Sequence, residues 1–422
     1  MNEHILAYLW QHPRWWQSPL STVSGNRIQI LKKGLLNKNS GPDFLDAQIQ
    51  IDDLLWVGHV ELHVCSSDWY AHNHESDSAY DNVILHVVWE YDVPVFDPKE
   101  CPVFTLELRH FIPSDFMERY RSFTETPHQW IPCEAHLINS GTTTQRLFFD
   151  RLFVERLSEK TAVFQNWLKK TRNDWEAVLF VALAKGFGLV LNGASFAQMA
   201  LSIPFSTLRH LRGQPPALEA LFLGQAGILD IDTEDAYLSL LKENYLFIKR
   251  KHNLKESRPA ARFFRARPIN FPTIRLSQLA QLYESKTQLF DRLIETTSLS
   301  DIYKILDVGV SSYWRTHFVF GKTTQPNPKK LSKPFKSLLI INTVIPFLFC
   351  HHKAYATAKT DLLMDWAHSI KAEQNSQVAK FKSLGLKIQS ALDSQAVLQL
   401  KTHYCTPRKC LQCAFGHQFF QT

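Results

Sequence analysis

No stretch of this chain stays apolar for the roughly 18–20 residues that a bilayer-crossing helix needs. The longest, Ser337 to Cys350, is interrupted by Asn342 and Pro346 and reads as a buried helix. Met1 to Pro13 has no basic segment leading into an apolar one, so no secretory leader is expected there. Cysteine is scarce and odd in number, seven residues in 422, with three crowded at the C-terminus. That pattern argues against a disulfide framework and for a reduced compartment with a metal site. No internal repeat is visible. These absences lead us to expect a soluble cytoplasmic protein with no membrane association.

What is present describes a globular chain long enough for two or three domains of roughly 100–200 residues each. Hydrophobic residues make up 45% and charged residues 21%, enough apolar material for a sizeable core. Charge is unevenly divided. Residues 1–130 carry 9 Lys and Arg against 18 Asp and Glu, whereas residues 131–422 carry 38 against 22. An acidic piece joined to a basic one suits a metal-using enzyme with a polyanion-gripping arm, although basic helices that merely solvate their outer faces give the same count.

Hydrophobic periodicity divides the chain at a similar place. Gln48–Ile51 and His59–Val64 alternate as strands do, Val83–Trp89 is a short β-branched run, and Cys101–Leu108 reads as a further strand. Ser66–Asn82 between them is polar with helical character. From about Thr142 the period becomes 3.6, with Leu147, Phe148, Leu152, Phe153 and Leu157 on one face. Helices are expected at 174–185, 218–223, 233–249, 276–284, 338–349 and 361–374. The loop 321–336, with Lys322, Lys329, Lys330, Lys333 and Lys336 and no acid, is expected to be exposed and mobile. The expected architecture is an α/β domain with a mixed sheet over residues 1–130, then a large all-α region over 131–422.

The chemistry-bearing residues begin at Gly41-Pro42-Asp43-Phe44 and Gly58-His59-Val60-Glu61-Leu62-His63. In a strand His59, Glu61 and His63 share one face, where three polar, metal-competent groups are costly unless that face lines a wet site. Asp43, eighteen residues before Glu61, can meet it across a hairpin. Two such carboxylates repel until a hard divalent cation bridges them, the arrangement phosphodiester hydrolysis needs. An ordinary Gly-Pro-Asp turn with Glu61 and His63 on a solvated face would look the same.

Pro42-Asp43, an interval, then Glu61-x-His63 resembles the PD-(D/E)XK nuclease signature over roughly residues 35–110. The resemblance implies a restriction-endonuclease-like mixed sheet, with Asp43 and Glu61 holding Mg²⁺ or Mn²⁺ and the third residue assisting the attacking water. That third position is usually lysine; His63 can orient water, act as base or ligate metal, but brings no fixed positive charge. The polar segment with His72, His74, Asp77 and Tyr80 matches the family's helix facing the DNA backbone. Asp46 and His59 are further candidate ligands. The string Asn39–Ala47 with Val60–Val64 and Ser66–Trp69 is also similar to a bacterial family, domain of unknown function 2851. That likeness extends to Arg267-Pro268-x-Asn270-Phe271-Pro272 and the C-terminal cysteines, and implies no activity of its own.

Cys405-x4-Cys410-x2-Cys413 has metal-ligand spacing and needs a fourth ligand for Zn²⁺ or a [4Fe–4S] cluster. Cys133 is favoured; His403, His417 and Cys350 are alternatives, as are three unligated thiols in a terminal turn. Some PD-(D/E)XK nucleases resemble this layout, one distant cysteine with a cluster of three. Residues 249–275 carry Lys255, Arg258, Arg262, Arg265, Arg267 and Arg275 with one acid, Glu256, and interleaved Phe263, Phe264 and Phe271. Arginines for phosphates and aromatic faces for bases suit single-strand or junction binding; the same aromatics could be core. The expected function is metal-dependent cleavage of nucleic acid, DNA ahead of RNA. The rivals are an inactive nuclease-derived binding or scaffold protein, and a zinc hydrolase of small molecules built on His59, His63, His72 and His74.

Overall fold

The computed structural model describes residues 3–12, 16, 19–37, 39–97, 99–124, 129–135, 137, 142–255, 257, 261–357 and 359–419. The chain clusters into two units, one of residues 1–140 with 403–422, the other of residues 141–402.

The first unit is built on a mixed seven-stranded sheet: β1 (Leu20–Ser21), β2 (Arg27–Lys32), β3 (Leu35–Leu36), β4 (Phe44–Ile51), β5 (Leu54–Cys65), β6 (Val83–Glu90) and β7 (Thr105–Glu107). The strand order is β1-β2-β4-β5-β6-β7, with β3 alongside β4. Pairs up to β4–β5 are antiparallel, whereas β5–β6 and β6–β7 are parallel. A two-residue turn, Asp52-Asp53, joins β4 to β5. Asp52 sits at φ 53°, and its carboxylate accepts from the Arg27 N–H and the Asn26 amide, each at 2.8 Å. Parallel pairing requires a crossover, supplied by the polar stretch after β5. It forms a short helix α2 (Asp68–Ala71) and two 3₁₀ turns. Helix α1 (Glu3–Gln11) buries Ile5, Leu6, Leu9 and Trp10; a further helix, α3, spans Ser114–Thr124. The strand expected at 101–108 is shorter, since Pro102 only bridges Phe96 before β7.

The second unit is helical. The 3.6-residue pattern from Thr142 continues as one long helix, α4 (Thr142–Lys170). Helix α5 (Trp175–Phe187) starts at Asp174, whose side chain accepts from the Ala177 N–H at 3.0 Å, and α6 follows at Leu189–Leu201. Further helices include Ala217–Gln225, Ala236–Lys251 and Pro272–Ser285. Lys333–Ala354 is a continuous helical run whose middle, Ile340–Val344, is π-helical. On length and composition this run could cross a membrane, but 67% of its apolar window is buried in the fold, as a core helix is. The helix expected over 361–374 ends at Ser369.

The lysine-rich loop is exposed at Lys322, Lys330 and Lys333, as its composition suggests, but two of its lysines are held in place. Lys329 is 2% exposed, and its ammonium donates to the carbonyls of Trp314, Arg315 and His317. Lys336 lies in a helix and pairs with Asp307 at 2.7 Å. Ordered carbonyls thus replace the water that would otherwise hold Lys329 at the surface.

Candidate metal centre

The site begins at a bulge. Phe44 pairs with Val60, the register then slips before Ala47, and Asp46 sits at φ 58°. Such bulges re-aim side chains beside functional sites. Here Asp43 is brought to Glu61. The Asp43 N–H donates to Glu61 Oε2 at 3.0 Å, and the Leu62 N–H donates to Asp43 Oδ2 at 3.2 Å. Glu61 is 6% exposed. Burial lifts Asp43 to about 6, with the Leu62 N–H opposing. Burial, and next the Asp43 charge, lifts Glu61 to about 8. The buried Glu61 and the half-buried Asp43, with no lysine or arginine partner among the described residues, resist ionising together.

Histidines close around them. His63 is 1% exposed; its Nδ1 lies 2.9 Å from His86 Nε2 and its Nε2 lies 3.1 Å from His72 Nδ1. Glu61 Oε1 is 3.6 Å from His63 Nε2 and 3.4 Å from His74 Nε2. One ligand atom each from His63, His72 and His74 falls within 4.8 Å of the others. Burial, then the neighbouring imidazoles, pushes His63 down to about 3, so the ring is neutral and keeps a lone pair. Tyr80 stacks on His74 at 3.7 Å between ring centroids, and buried Trp69 meets His74 edge-on. Burial, and next Glu61, pushes the Tyr80 hydroxyl up to about 12.

A divalent cation fits this donor set. The Glu61 carboxylate and the imidazoles of His63, His72 and His74 converge, the Asp43 carboxylate lies close enough to raise Glu61 electrostatically, and the buried Nε2 of His74 has no hydrogen-bond partner among the described residues. His86, fully buried on β6 opposite Glu61, was not anticipated, because a lone histidine in an apolar strand looks like core. It stands behind His63 as an orienting group would. The remaining predicted residues are placed differently. His59 Nδ1 accepts from the Asp46 N–H at 3.4 Å, and Asp77 caps the turn Ser78–Tyr80 by accepting from the Ala79 N–H.

Within the second unit Arg262, Arg265 and Arg267 are exposed, and Arg265 lies 5.4 Å from the ring of Phe264, itself 78% exposed. Arg275 is not among them. It is 5% exposed, donates to Gln278 at 2.8 Å and Asn270 at 2.5 Å, and stacks 3.5 Å over Phe335. Its place is in the core, and a phosphate could not reach it without unpacking that shell. Arg258 and Glu256 lie outside the described residues.

Cys133, Cys405, Cys410 and Cys413 are all buried in the first unit. Burial, then the nearby Cys413 and Cys410, pushes the Cys133 thiol up; burial, then Cys413, takes Cys410 to about 12. Three of the four are therefore electrostatic neighbours. The turn carrying Cys410 and Cys413 is tight, for a Cβ on Gly416 would stand 2.1 Å from the Cys410 carbonyl oxygen. Cys350 belongs to the other unit, where its thiol lies 3.9 Å from the Thr161 carbonyl.

The family described as "Protein of unknown function (DUF2851)" matches residues 3–376, and the chain belongs to it. No curated protein and no solved structure matches the chain.

Proposed function

We propose that this member of the DUF2851 family is a metal-dependent nuclease whose centre is Asp43, Glu61 and His63 on a PD-(D/E)XK-like sheet, cleaving nucleic acid, DNA ahead of RNA. The observation that carries the reading is the buried Glu61 beside the half-buried Asp43, offset by no lysine or arginine among the described residues and bordered by the imidazoles of His63 and His74. Asp43 and Glu61 would hold Mg²⁺ or Mn²⁺, and the imidazole-rich surroundings favour Mn²⁺ over Mg²⁺, which demands near-ideal oxygen octahedra. Bound there, the ion would supply Lewis acidity to a phosphate oxygen and acidity to a water. His63 would help orient the attacking water, its ring fixed by the Nδ1 contact with His86. Tyr80 keeps its proton at neutral pH and can donate to a phosphate oxygen. Exposed His72 extends the site to the surface. Arg262, Arg265 and Arg267 beside Phe264 offer charge and a stacking face for the backbone and bases. Cys133, Cys405, Cys410 and Cys413 would hold Zn²⁺ or a [4Fe–4S] cluster that ties the C-terminal residues into the first unit.

The convergence of His63, His72 and His74 favours one second reading, a zinc hydrolase acting on a small molecule. A cleavage assay on single-stranded, duplex and branched DNA with Mn²⁺ or Mg²⁺, wild type beside Asp43→Ala, separates the accounts. Cutting that the variant lacks supports the nuclease. Salt-sensitive binding without cutting by either protein supports a nuclease-derived grip. Neither cutting nor binding, with zinc lost from His72→Ala and His74→Ala while the cysteine site stays loaded, supports the zinc hydrolase.

A further inference from the structure

The second unit contains a cleft that the nuclease reading does not use. Arg156 and Lys160, four residues apart on α4, face it together with Lys185 of α5. A spacing of four puts Arg156 and Lys160 on one helix face. One acid, Glu373, lines the same cleft against these three basic side chains. Nor does that acid neutralise the cations directly, because two amides stand between. Lys160 Nζ donates to Asn342 Oδ1 at 3.2 Å and Gln395 Oε1 at 3.4 Å, and Arg156 Nε donates to Gln395 Oε1 at 2.6 Å. The NH₂ groups of the same amides turn the other way, Asn342 Nδ2 donating to Glu373 Oε1 at 3.0 Å and Gln395 Nε2 to Glu373 Oε2. The carboxylate is thus occupied, while Arg156 keeps most of its donor fork unused among the described residues.

The rest of the wall is apolar: Phe164, Trp167, Leu339 and Leu398, with Val163 and Val190 at the mouth. Val190 is fully exposed and Val163 is 40% exposed. The cavity is about 440 Å³, within the range of small-molecule sites. Two local departures from regular structure shape it. The π-helical turn Ile340–Val344 carries Asn342, and Leu189 at the rim has φ 55°, a left-handed conformation unfavourable for leucine. Both kinds of departure gather at functional sites.

We propose that this cleft binds an organic anion, its carboxylate or phosphate head against Arg156, Lys160 and Lys185 and its apolar body against Phe164, Trp167, Leu339 and Leu398. Burial, then the Arg156 charge, pulls the Lys160 ammonium down to about 7, and a bound anion would return that proton.

The test is isothermal titration of the full-length protein with octanoate, octyl phosphate, inorganic phosphate and octylammonium. Saturable 1:1 binding of octanoate or octyl phosphate is expected, at least ~10-fold tighter than either inorganic phosphate or octylammonium, since each of those lacks one half of the recognition. Which of the two amphiphiles binds identifies the head group. Lys185→Gln, at an exposed position that folding tolerates, and Lys160→Gln should each weaken binding by about 10-fold or more. The proposal is overturned by binding of neither amphiphile, by equal binding of octylammonium or inorganic phosphate, or by affinity unchanged in Lys185→Gln.

Discussion

Replacing Asp43 with asparagine should make the metal-free protein more stable and the metal-loaded protein less so. Burial holds the Asp43 carboxyl at about 6 instead of its ordinary 3.8. At about 1.4 kcal/mol per pKa unit, its ionisation at pH 8 costs the folded state roughly 3 kcal/mol. Asparagine carries no charge to desolvate and still accepts the Leu62 N–H through its carbonyl. Allowing for relaxation, Asp43→Asn should gain about 1–3 kcal/mol in EDTA. Mn²⁺ at a hundred times its Kd should stabilise wild type by about 2.7 kcal/mol and the variant far less. At roughly 2–4 °C per kcal/mol for a unit of this size, calorimetry would show the order of the two first-unit transitions reversing between EDTA and Mn²⁺. A variant less stable than wild type in EDTA, or equally stabilised by Mn²⁺, refutes the reasoning. The pH dependence has a definite sign. Raised folded-state pKa values at Asp43 and Glu61 mean stability that is full below their ordinary range and lost as pH rises through about 6 and then about 8. Chemical denaturation in EDTA from pH 4 to 8.5 should show that decline, and Mn²⁺ should flatten it.

Two further outcomes are expected. Cys410→Ser and Cys133→Ser should each lower zinc or iron per chain, measured by elemental analysis, while Cys350→Ser leaves the metal content unchanged. Glu219, 3% exposed, accepts from Tyr237 at 3.1 Å, Ser277 at 3.0 Å and Trp314, so Glu219→Leu strands two buried donors and one half-buried hydroxyl. Urea unfolding should register a loss of about 3–5 kcal/mol, and Glu219→Gln, which keeps a carbonyl acceptor, should lose less.

The sequence made some of this legible because its signals were local. Alternation at 48–51 and 59–64 marked β4 and β5, and the eighteen-residue interval matched a hairpin turning at Asp52-Asp53. Asp43 and Glu61 could therefore be paired from the sequence alone. His86 could not, since it reaches His63 only through the parallel pairing of β5 with β6, which no periodicity encodes. Arg275 and Lys329 misled for a shared reason. Basic residues read as solvated unless partners are visible, and their partners (Asn270 and Gln278 for one, backbone carbonyls for the other) emerge only on folding. The anion cleft was invisible because Arg156, Lys185, Asn342, Glu373 and Gln395 are spread over about 240 positions of the chain.

The central claim is that Asp43 and Glu61 hold an ion that cuts nucleic acid. Its most direct test compares Mn²⁺-dependent cleavage of labelled single-stranded DNA by wild type and Glu61→Gln, with circular dichroism confirming equal folding. The account predicts cutting by wild type that EDTA abolishes, and at least a ~100-fold lower rate in the variant. Equal rates in the two proteins, or cutting that survives EDTA, would contradict it.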